Sequence, residues 1–396
     1  MVKLSQVLRW IPVFFAAIGT SSALEVQRRD NSTCVVPAAP VLNFSSSQWV
    51  WTTELSSPNG DAPAGSRAFR KSFLPPQGKT PAYLTIGFAV DDVSFLWVNG
   101  VQIVKHTAYF TTGRFCVALE STNCGILLAI NVTNTGGPAG LFADVVVTYT
   151  DGTTSQIVTD SSWRASVGNI PDGFQELSYD DSTWETVITQ GGDGVAPWGR
   201  PQHAGTDLQS LATARWIWTN EAAPGSFPPG ARAFRFTLIL PAGHTTGTAN
   251  AMITADDSYS IYINGRFIGS GISGFSTAQR FVADVQGPAV TFAVYAVNGN
   301  DQPNPAGLLA SIQVTSQDEI TCNDCNSTSF VVSSYAWKTF PGPVPDGFEQ
   351  PTFDDSAWVP STIIGQNGVT PWGTIAAPTT ITTGGTPVPG APAGSA

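Results

Sequence analysis

The sequence predicts an all-β protein built from two tandem antiparallel β-sandwich domains. Three observations predict it: short segments in which apolar and polar residues alternate, many turn-forming residues between them, and an internal duplication of most of the chain. The chain has 396 residues, of which 39 are Gly and 29 are Pro. That length is sufficient for two domains that each bury a core.

Alternation with a period of two marks the strands. Segments such as "AMITADD", "SYSIYING" and "VTFAVYAV" are rich in Val, Ile, Thr and Tyr and end at Gly, Pro, Asn or Asp. This pattern is typical of strands. The dipeptides Asn99-Gly100 and Asn264-Gly265 predict two-residue hairpin turns, because both residue types tolerate positive φ. No long helical pattern is found, so many short strands indicate a sandwich in each domain.

A string of motifs occurs twice in the same order. The spacing between the copies is 165 to 167 residues in the first part and 174 beyond it. The added residues fall in the segment of the second copy that carries Cys322 and Cys325, where an extended hairpin is expected. The matched pairs are "WVW" 49–51 and "WIW" 216–218, "RAFR" 67–70 and 232–235, "DD" 91–92 and 256–257, "PDGF" 171–174 and 345–348, "DDSTW" 180–184 and "DDSAW" 354–358, and "PWG" 197–199 and 371–373.

The first residues, "MVKLSQVLRWIPVFFAAIGTSSA", are typical of a secretory signal peptide cleaved after Ala23. The apolar run from Trp10 to Ile18 is much shorter than the roughly 20 residues that a membrane span needs. We therefore expect a secreted protein, extracellular or associated with a cell wall, without a membrane span. The predicted organisation is a signal peptide 1–23, an N-terminal segment 24–43 with possible dibasic processing, sandwich domains 44–200 and 214–374 joined by a linker 201–213, and a disordered Thr/Pro/Gly-rich tail 375–396.

The charge composition argues against nucleic acid as a partner. The formal net charge is −11, and only 12% of the residues are charged, against about 25% in a typical protein. No cluster of Lys and Arg is present that could follow a phosphate backbone.

The cysteines and sequons fit an oxidising, extracellular compartment. Cys116 and Cys124 are expected to form one disulfide and Cys322 and Cys325 another, since a single Cys-x-x-Cys cannot make a four-cysteine zinc site. Cys34 is left without an expected partner. Asn-x-Ser/Thr sequons predict N-glycosylation at Asn31, Asn43, Asn131 and Asn326.

The order of motifs "WIW", "RAFR", "ADDSYSIYINGRFIG", "NPAGLLA" and "FDDSAW…PWG" resembles the galactose-binding-like modules that accompany α-L-rhamnosidases and other large glycoside hydrolases. The resemblance covers nearly all of 44–200 and 211–374. It implies two antiparallel jelly-roll sandwiches that bind carbohydrate or pack against a catalytic domain. The helical barrel that carries rhamnosidase chemistry has no counterpart in the sequence. A fainter likeness is to PA14-type adhesin modules, in which adjacent aspartates hold calcium.

The recurring Asp91-Asp92 and Asp256-Asp257 doublets have two open interpretations. Consecutive side chains of a strand point to opposite faces, so the two carboxylates are poorly placed to flank a glycosidic bond across about 5–10 Å. As a structural corner they would accept hydrogen bonds from backbone N–H groups. As a metal site, all four aspartates are candidate ligands for calcium. No cofactor is otherwise required.

The second doublets, at 180–181 and 354–355, are expected to cap turns. Trp184 and Trp358 are expected to close the sandwiches, and Trp198 and Trp372 fit either a structural or a sugar-stacking role. Sugar contacts are expected where the copies differ. Residues that are identical in the two copies are explained by the shared fold, because the copies need the same fold but not the same ligand. The candidates are Trp97, His106, Tyr109 and Phe110 in the first copy and Tyr262, Arg266 and Phe275 in the second.

Trp97 and Tyr262 occupy equivalent positions on the strand face opposite the aliphatic residues. They are exposed if that face is open, and buried if both sheet faces are covered. The equivalence of the copies also predicts bivalent binding to a polymer.

No catalytic motif is found. The sequence lacks a Gly-x-Ser-x-Gly elbow and a His-Glu-x-x-His cluster. No glutamate is found to recur at a matched position, since Glu176 aligns with Gln350 and Glu349 with Gln175. We therefore predict a secreted, non-catalytic, lectin-like protein that binds polysaccharide. The alternatives are a glycoside hydrolase or polysaccharide lyase with its site between the sandwiches, and a structural cell-wall protein.

Overall fold

A computed structural model describes residues 40–56, 60–119, 125–272, 274–318 and 326–395. Within these ranges the regular structure consists of β-sheets, antiparallel apart from one short parallel pairing, and one short 3-10 helix, so the predicted all-β sandwich class is confirmed. In the described part of the chain, no helix is long and apolar enough to cross a membrane. The predicted signal peptide, Cys34 and Asn31 lie outside the described residues.

The 3-10 helix η1 covers Phe44–Ser46. The strands of the first copy are β1 Trp49–Trp51, β2 Gly65–Phe73, β3 Pro81–Val98, β4 Val101–Ala118, β5 Ile126–Asn134, β6 Gly140–Tyr149, β7 Thr154–Val158, β8 Arg164–Ser166, β9 Glu185–Thr186 and β10 Ile188–Gly191. Strand β11 covers Gln202–His203. The strands of the second copy are β12 Arg215–Trp218, β13 Gly230–Ile239, β14 His244–Asp256, β15 Ser258–Ile263, β16 Arg266–Gly271, β17 Gln279–Gln286, β18 Ala289–Asn298, β19 Gly307–Asp318, β20 Asn326–Val332, β21 Lys338–Phe340, β22 Val359–Pro360 and β23 Thr362–Gln366.

In each copy the chain crosses from one sheet to the other at the first aspartate doublet. Strand β3 pairs with β6 up to Asp91 and with β5 from Val93 onwards. In the second copy, β14 pairs with β19 up to Asp256, and β15, which begins at Ser258, pairs with β18. Each doublet therefore stands at a corner of its sandwich. We call 91–92 the first corner and 256–257 the second corner.

The two Asn-Gly dipeptides form the predicted tight turns. Asn99 and Asn264 both have φ of 49°, and the glycines that follow have φ of 84° and 82°. Each Asn side chain also accepts a backbone N–H from the neighbouring strand, at 2.7 and 2.8 Å. Positive φ at two successive residues is what an I′ hairpin turn requires.

A buried arginine fastens an irregular segment to the outside of each sandwich. Arg70, the last residue of "RAFR", is 3% exposed. Its Nε donates to Asp181 at 2.7 Å, and its Nη groups donate to the carbonyls of Phe174, Glu176 and Tyr179. The "PDGF" and "DDSTW" motifs therefore belong to one segment, 171–184, held by a single guanidinium.

The second copy repeats this arrangement. Arg235 is 1% exposed, donates to Asp355 at 2.9 Å, and reaches the carbonyls of Phe348, Gln350 and Phe353. The other aspartate of each second doublet accepts the N–H of the serine two residues ahead, at 2.9 Å in both copies. The matched motifs thus form segments 171–184 and 345–358, which cover one sheet face of each copy and are called the cover segments.

The two copies share a sheet. Strand β20 of the second copy pairs with β4 of the first at Thr328 and Arg114, and Cys116 donates its N–H to Ser327 Oγ at 3.1 Å. The predicted linker is packed at this seam, where β11 pairs in parallel with β4 and Leu211 is 2% exposed.

The tail predicted to be disordered lies along the second copy from Ile375 onwards, and this is a correction. Val388 is buried and donates its N–H to Ser260 Oγ at 2.9 Å. Tyr262 donates its hydroxyl to the Pro392 carbonyl at 2.6 Å, and Ser395 N–H donates to the Gly265 carbonyl at 2.8 Å. The backbone groups of the tail form these hydrogen bonds with the second copy. Amino-acid composition does not predict contacts of this kind.

Cys116 is buried. Its expected partner Cys124, like Cys322 and Cys325, lies outside the described residues, so both disulfide pairings stay predictions. Of the described sequon asparagines, Asn43 is exposed, whereas Asn131 and Asn326 each bury the side-chain oxygen.

Replacing Arg70 with Met should lower the free energy of unfolding by about 3 kcal/mol or more, because Asp181 and three carbonyls lose their donor. The control is Arg200→Met, since Arg200 is 55% exposed and pairs with Asp207 at the surface. An exposed ion pair contributes about 0–1 kcal/mol. Urea unfolding of both variants checks this. Equal losses of unfolding free energy in the two variants would contradict the role of Arg70 in holding segment 171–184.

Candidate functional site

The first aspartate of each corner accepts a hydrogen bond from a buried tryptophan. Trp198 Nε1 donates to Asp91 Oδ2 at 2.9 Å, and Trp372 Nε1 donates to Asp256 Oδ2 at 2.8 Å. These are the tryptophans of the two "PWG" motifs. Both are 5% exposed, so neither presents a free ring face for sugar stacking.

Each of these tryptophans also stacks on the first tryptophan of the Trp-x-Trp motif. The ring centroids of Trp49 and Trp198 are 4.4 Å apart, and those of Trp216 and Trp372 are 4.5 Å apart. A glycine is needed beside each stack. A Cβ at Gly140 would lie 2.6 Å from a ring carbon of Trp49, and the second copy repeats this distance.

The second aspartate differs between the corners. Asp92 is 7% exposed and accepts from Thr135 N–H at 2.7 Å, from Thr135 Oγ1 at 2.6 Å and from the Tyr335 hydroxyl at 2.9 Å. Tyr335 belongs to the second copy, so this bond closes the first corner at the seam. Asp257 is half-buried, and the protein donor that the structure shows for it is Gly299 N–H, at 2.6 Å.

Burial and the neighbouring carboxylate shift the titration of both corners. Desolvation, together with the hydrogen bond and charge of Asp92, raises the pKa of Asp91 from its ordinary value of 3.8 to about 8. At the second corner desolvation is again the largest cause and raises the pKa of Asp256 to about 6. Burial also raises the pKa of Tyr335. Among the described residues, no Lys, Arg or His forms an ion pair with a corner aspartate.

The second corner also has an orphaned polar atom beside it. Asn298 precedes Gly299 and is 1% exposed, and its side-chain oxygen is buried without a hydrogen-bond partner. At the equivalent place in the first copy, the Asn134 oxygen accepts Gly136 N–H at 3.0 Å. The loop that follows Gly299 is exposed at 300–303 and contributes polar side chains.

Two of the predicted aromatic residues are equivalent to each other and stand near the corners. Tyr109 and Phe275 are 166 residues apart, as are Arg114 and Arg280, which pair with equivalent strand positions. Both rings are half-buried. Thr254, two residues before the second corner, donates to the Phe275 carbonyl at 3.0 Å, so the backbone of Phe275 lies beside the strand end that carries Asp256.

The other predicted sugar contacts need correction. Tyr262 is fully buried, and the half-buried Trp97 packs against Phe174 at 5.3 Å. The cover segments and the tail lie over this face, so it is not an open aromatic platform. Phe110 is 4% exposed in the apolar seam, and His106 is 6% exposed. Burial lowers the pKa of His106 to about 4.

Arg266 is exposed at the hairpin turn and bridges to Ser395 of the tail. The structure therefore brings Phe275 near the second corner but places Arg266 elsewhere in the second copy.

A pair of matched glutamates was missed by the sequence comparison. Glu54 binds Arg67 through Nε and Nη2, and Glu221 binds Arg232 in the same way. The two glutamates are 167 residues apart, the spacing of the Trp-x-Trp motifs. Extending those motifs by three residues would have found them. Both glutamates are committed to ion pairs.

The larger of the two cavities described has a volume of about 670 Å³ and lies between the tail and the second copy. Its lining includes Arg232, Tyr295, Asp346 and Pro392. The Arg232 guanidinium is already paired with Glu221. The described residues contain no group of three His, Cys, Asp or Glu side chains that could hold a metal.

Comparisons with known proteins place the chain beside carbohydrate-active proteins. No protein-family model matches it. An α-L-rhamnosidase of Streptomyces avermitilis is 28% identical over 367 residues, covering 82% of this chain but 32% of the relative. The chain thus spans about a third of the length of that relative. The sequence resemblance to α-L-rhamnosidases is confirmed.

Solved structures with similarity include a lectin from Pleurotus ostreatus in complex with GalNAc. It is 33% identical, with 86% of this chain and 98% of the lectin covered and a TM-score of 0.41. The S. avermitilis α-L-rhamnosidase complexed with L-rhamnose is 23% identical, with 86% and 33% covered and a TM-score of 0.37.

Replacing Asp91 with Asn should flatten the pH dependence of stability. Because the folded chain holds the Asp91 proton more tightly than the unfolded chain, the free energy of unfolding falls as pH rises from about 4 to about 8. Asn keeps an acceptor for Trp198 and removes the charge. Thermal melts at several pH values check this, with the exposed Asp301→Asn as control. A wild-type slope retained by Asp91→Asn would contradict the assignment.

Proposed function

We propose that the chain is an exported, non-catalytic glycan-binding protein whose sugar contact lies at the second corner. The observation that carries the proposal is Asp257, a half-buried carboxylate with a single protein donor shown, set beside the exposed loop 300–303. Carboxylate and amide groups bind sugar hydroxyls, and an aromatic ring such as Phe275 stacks on the apolar face of a sugar.

The first corner is the weaker candidate. Both oxygens of Asp92 already accept hydrogen bonds, and one donor is Tyr335 of the second copy. A sugar that displaced these bonds would leave buried groups unpaired, at a cost of about 1–3 kcal/mol each. We therefore propose that only one of the two corners binds a sugar, in place of the two equivalent sites expected from the duplication.

Similarity to known proteins supports a carbohydrate ligand. The sequence likeness to the S. avermitilis α-L-rhamnosidase covers 82% of this chain. GalNAc and L-rhamnose, the sugars present in two of the similar structures, are the probes to use first. Export is proposed from the signal-like sequence at 1–23.

Calcium is proposed as a ligand of the second corner. Asp256 and Asp257 are adjacent acids without a cationic partner among the described residues, and Asn298 has a buried oxygen that lacks a donor. Calcium takes six to eight oxygen ligands from carboxylates, amides and carbonyls. The first corner fits less well, because the equivalent Asn134 oxygen and both Asp92 oxygens are occupied.

Glycan binding at the second corner predicts that Asp257→Asn and Phe275→Ala each weaken GalNAc or L-rhamnose binding at least tenfold. The control is Tyr109→Ala, the equivalent aromatic of the first copy, which should leave affinity unchanged. Isothermal titration of the full chain, together with a polysaccharide panel, checks this. Absence of binding to every glycan, or release of free sugar from a polymer, would refute the proposal.

Calcium binding predicts a rise in melting temperature when the ion is added, because a ligand of the folded state stabilises it. Asp257→Asn should abolish this rise and Asp92→Asn should keep it. Sugar titrations in EDTA should show the same loss as Asp257→Asn. An unchanged melting temperature in calcium would refute calcium binding and would leave the proposed sugar site unaffected.

A further inference from the structure

A buried arginine without a carboxylate partner lines a cavity at the seam of the two copies. Arg114 is 8% exposed, and its Nη1 donates to the Asn326 carbonyl at 2.9 Å. No ion pair to Arg114 is found among the described residues. Desolvation lowers the pKa of this guanidinium. A buried charge is costly unless a counter-charge and hydrogen bonds compensate it.

The matched arginine of the second copy shows what a satisfied side chain looks like here. Arg280 is half-buried, and its Nε donates to Asn250 Oδ1 at 2.9 Å. The position equivalent to Asn250 in the first copy is Thr85, which is fully buried and whose hydroxyl lacks a partner. Arg114 has therefore lost the polar neighbour that its counterpart uses, and it faces a cavity instead.

The cavity has a volume of about 270 Å³, and it is lined by the N-terminal residues 40–42 and by three further parts of the chain. The first copy contributes Arg114, the linker contributes Gly205 and Thr206, and the second copy contributes Thr315, Asn326 and Thr328. The Asn326 side-chain oxygen is buried without a partner. One cation, several hydroxyls and one unpaired amide oxygen are the groups that a small polyhydroxylated anion would use.

We propose that this seam cavity binds the carboxylate of an acidic sugar, a hexuronate, through Arg114. Arginine binds carboxylates in a fork geometry, and the three threonines supply hydroxyls to the sugar ring. The site is distinct from the second corner, and it adds a charged sugar to the glycan class proposed above. A ligand here would contact both copies and so would stabilise their packing.

The experiment is isothermal titration of the full chain with galacturonate and glucuronate, with galactose as the neutral match and acetate and sulfate as plain anions. We expect a uronate to bind, and galactose, acetate and sulfate to bind at least tenfold more weakly at this site. Arg114→Gln should abolish uronate binding and Thr315→Val should weaken it. Arg280→Gln, the matched arginine, should leave it unchanged.

The controls separate this site from the proposed second-corner site and from misfolding. Arg114→Gln should keep the wild-type melting temperature in the absence of ligand and the wild-type GalNAc affinity, whereas Asp257→Asn should keep uronate binding. If Arg114→Gln is unstable, Thr315→Val alone carries the test, because it preserves the charge. Uronate binding unaffected by either variant, equal binding of acetate, or no uronate binding would overturn the proposal.

Discussion

The hydrogen bond from a buried indole to the first aspartate of each corner is the contact on which the sandwich depends. At this point the chain leaves one sheet and enters the other, so backbone groups turn away from regular pairing. The Trp198–Asp91 bond and the Trp49 stack hold that crossing in a dry environment, where a hydrogen bond to a charged or polar group is strong. Gly140 follows from the same stack, because no side chain fits beneath it.

The same constraint explains why one aspartate of each doublet is conserved in role between the copies and the other is not. The first aspartate must face the tryptophan, and its bond length differs by 0.1 Å between the copies, 2.9 against 2.8 Å. The second aspartate faces the loop beyond the corner and accepts hydrogen bonds from donors of that loop. At the first corner the loop donor is Thr135, and Tyr335 of the second copy adds a further hydrogen bond that makes Asp92 an inter-domain contact. At the second corner the donor shown among the described residues is Gly299 N–H, and the carboxylate stays half-exposed.

Alternation and duplication were sufficient to predict the sandwich class, the Asn-Gly turns and the position of the corners. They were not sufficient to predict what covers the outer face of each sheet. Period-two alternation shows that the two faces of a sheet differ in polarity. It does not show that Trp97 and Tyr262 are covered, because the covering segments have no periodicity and are held by Arg70 in the first copy and Arg235 in the second. The tail was missed for a related reason: it docks through backbone groups, and its composition is that of a disordered segment.

Duplication separates structural residues from functional candidates at a resolution that one copy does not allow. Pairs with the same partners in both copies, such as Arg70 and Arg235, are explained by the fold alone. Pairs with different partners mark places where the fold does not require the same contact in both copies. Arg114 and Arg280 form such a pair, and so do Asp92 and Asp257. In both pairs one member is satisfied by protein groups, and the other is left with capacity for a ligand. Places where matched residues differ in hydrogen-bond satisfaction, rather than places where they agree, are therefore the ones at which binding is to be sought.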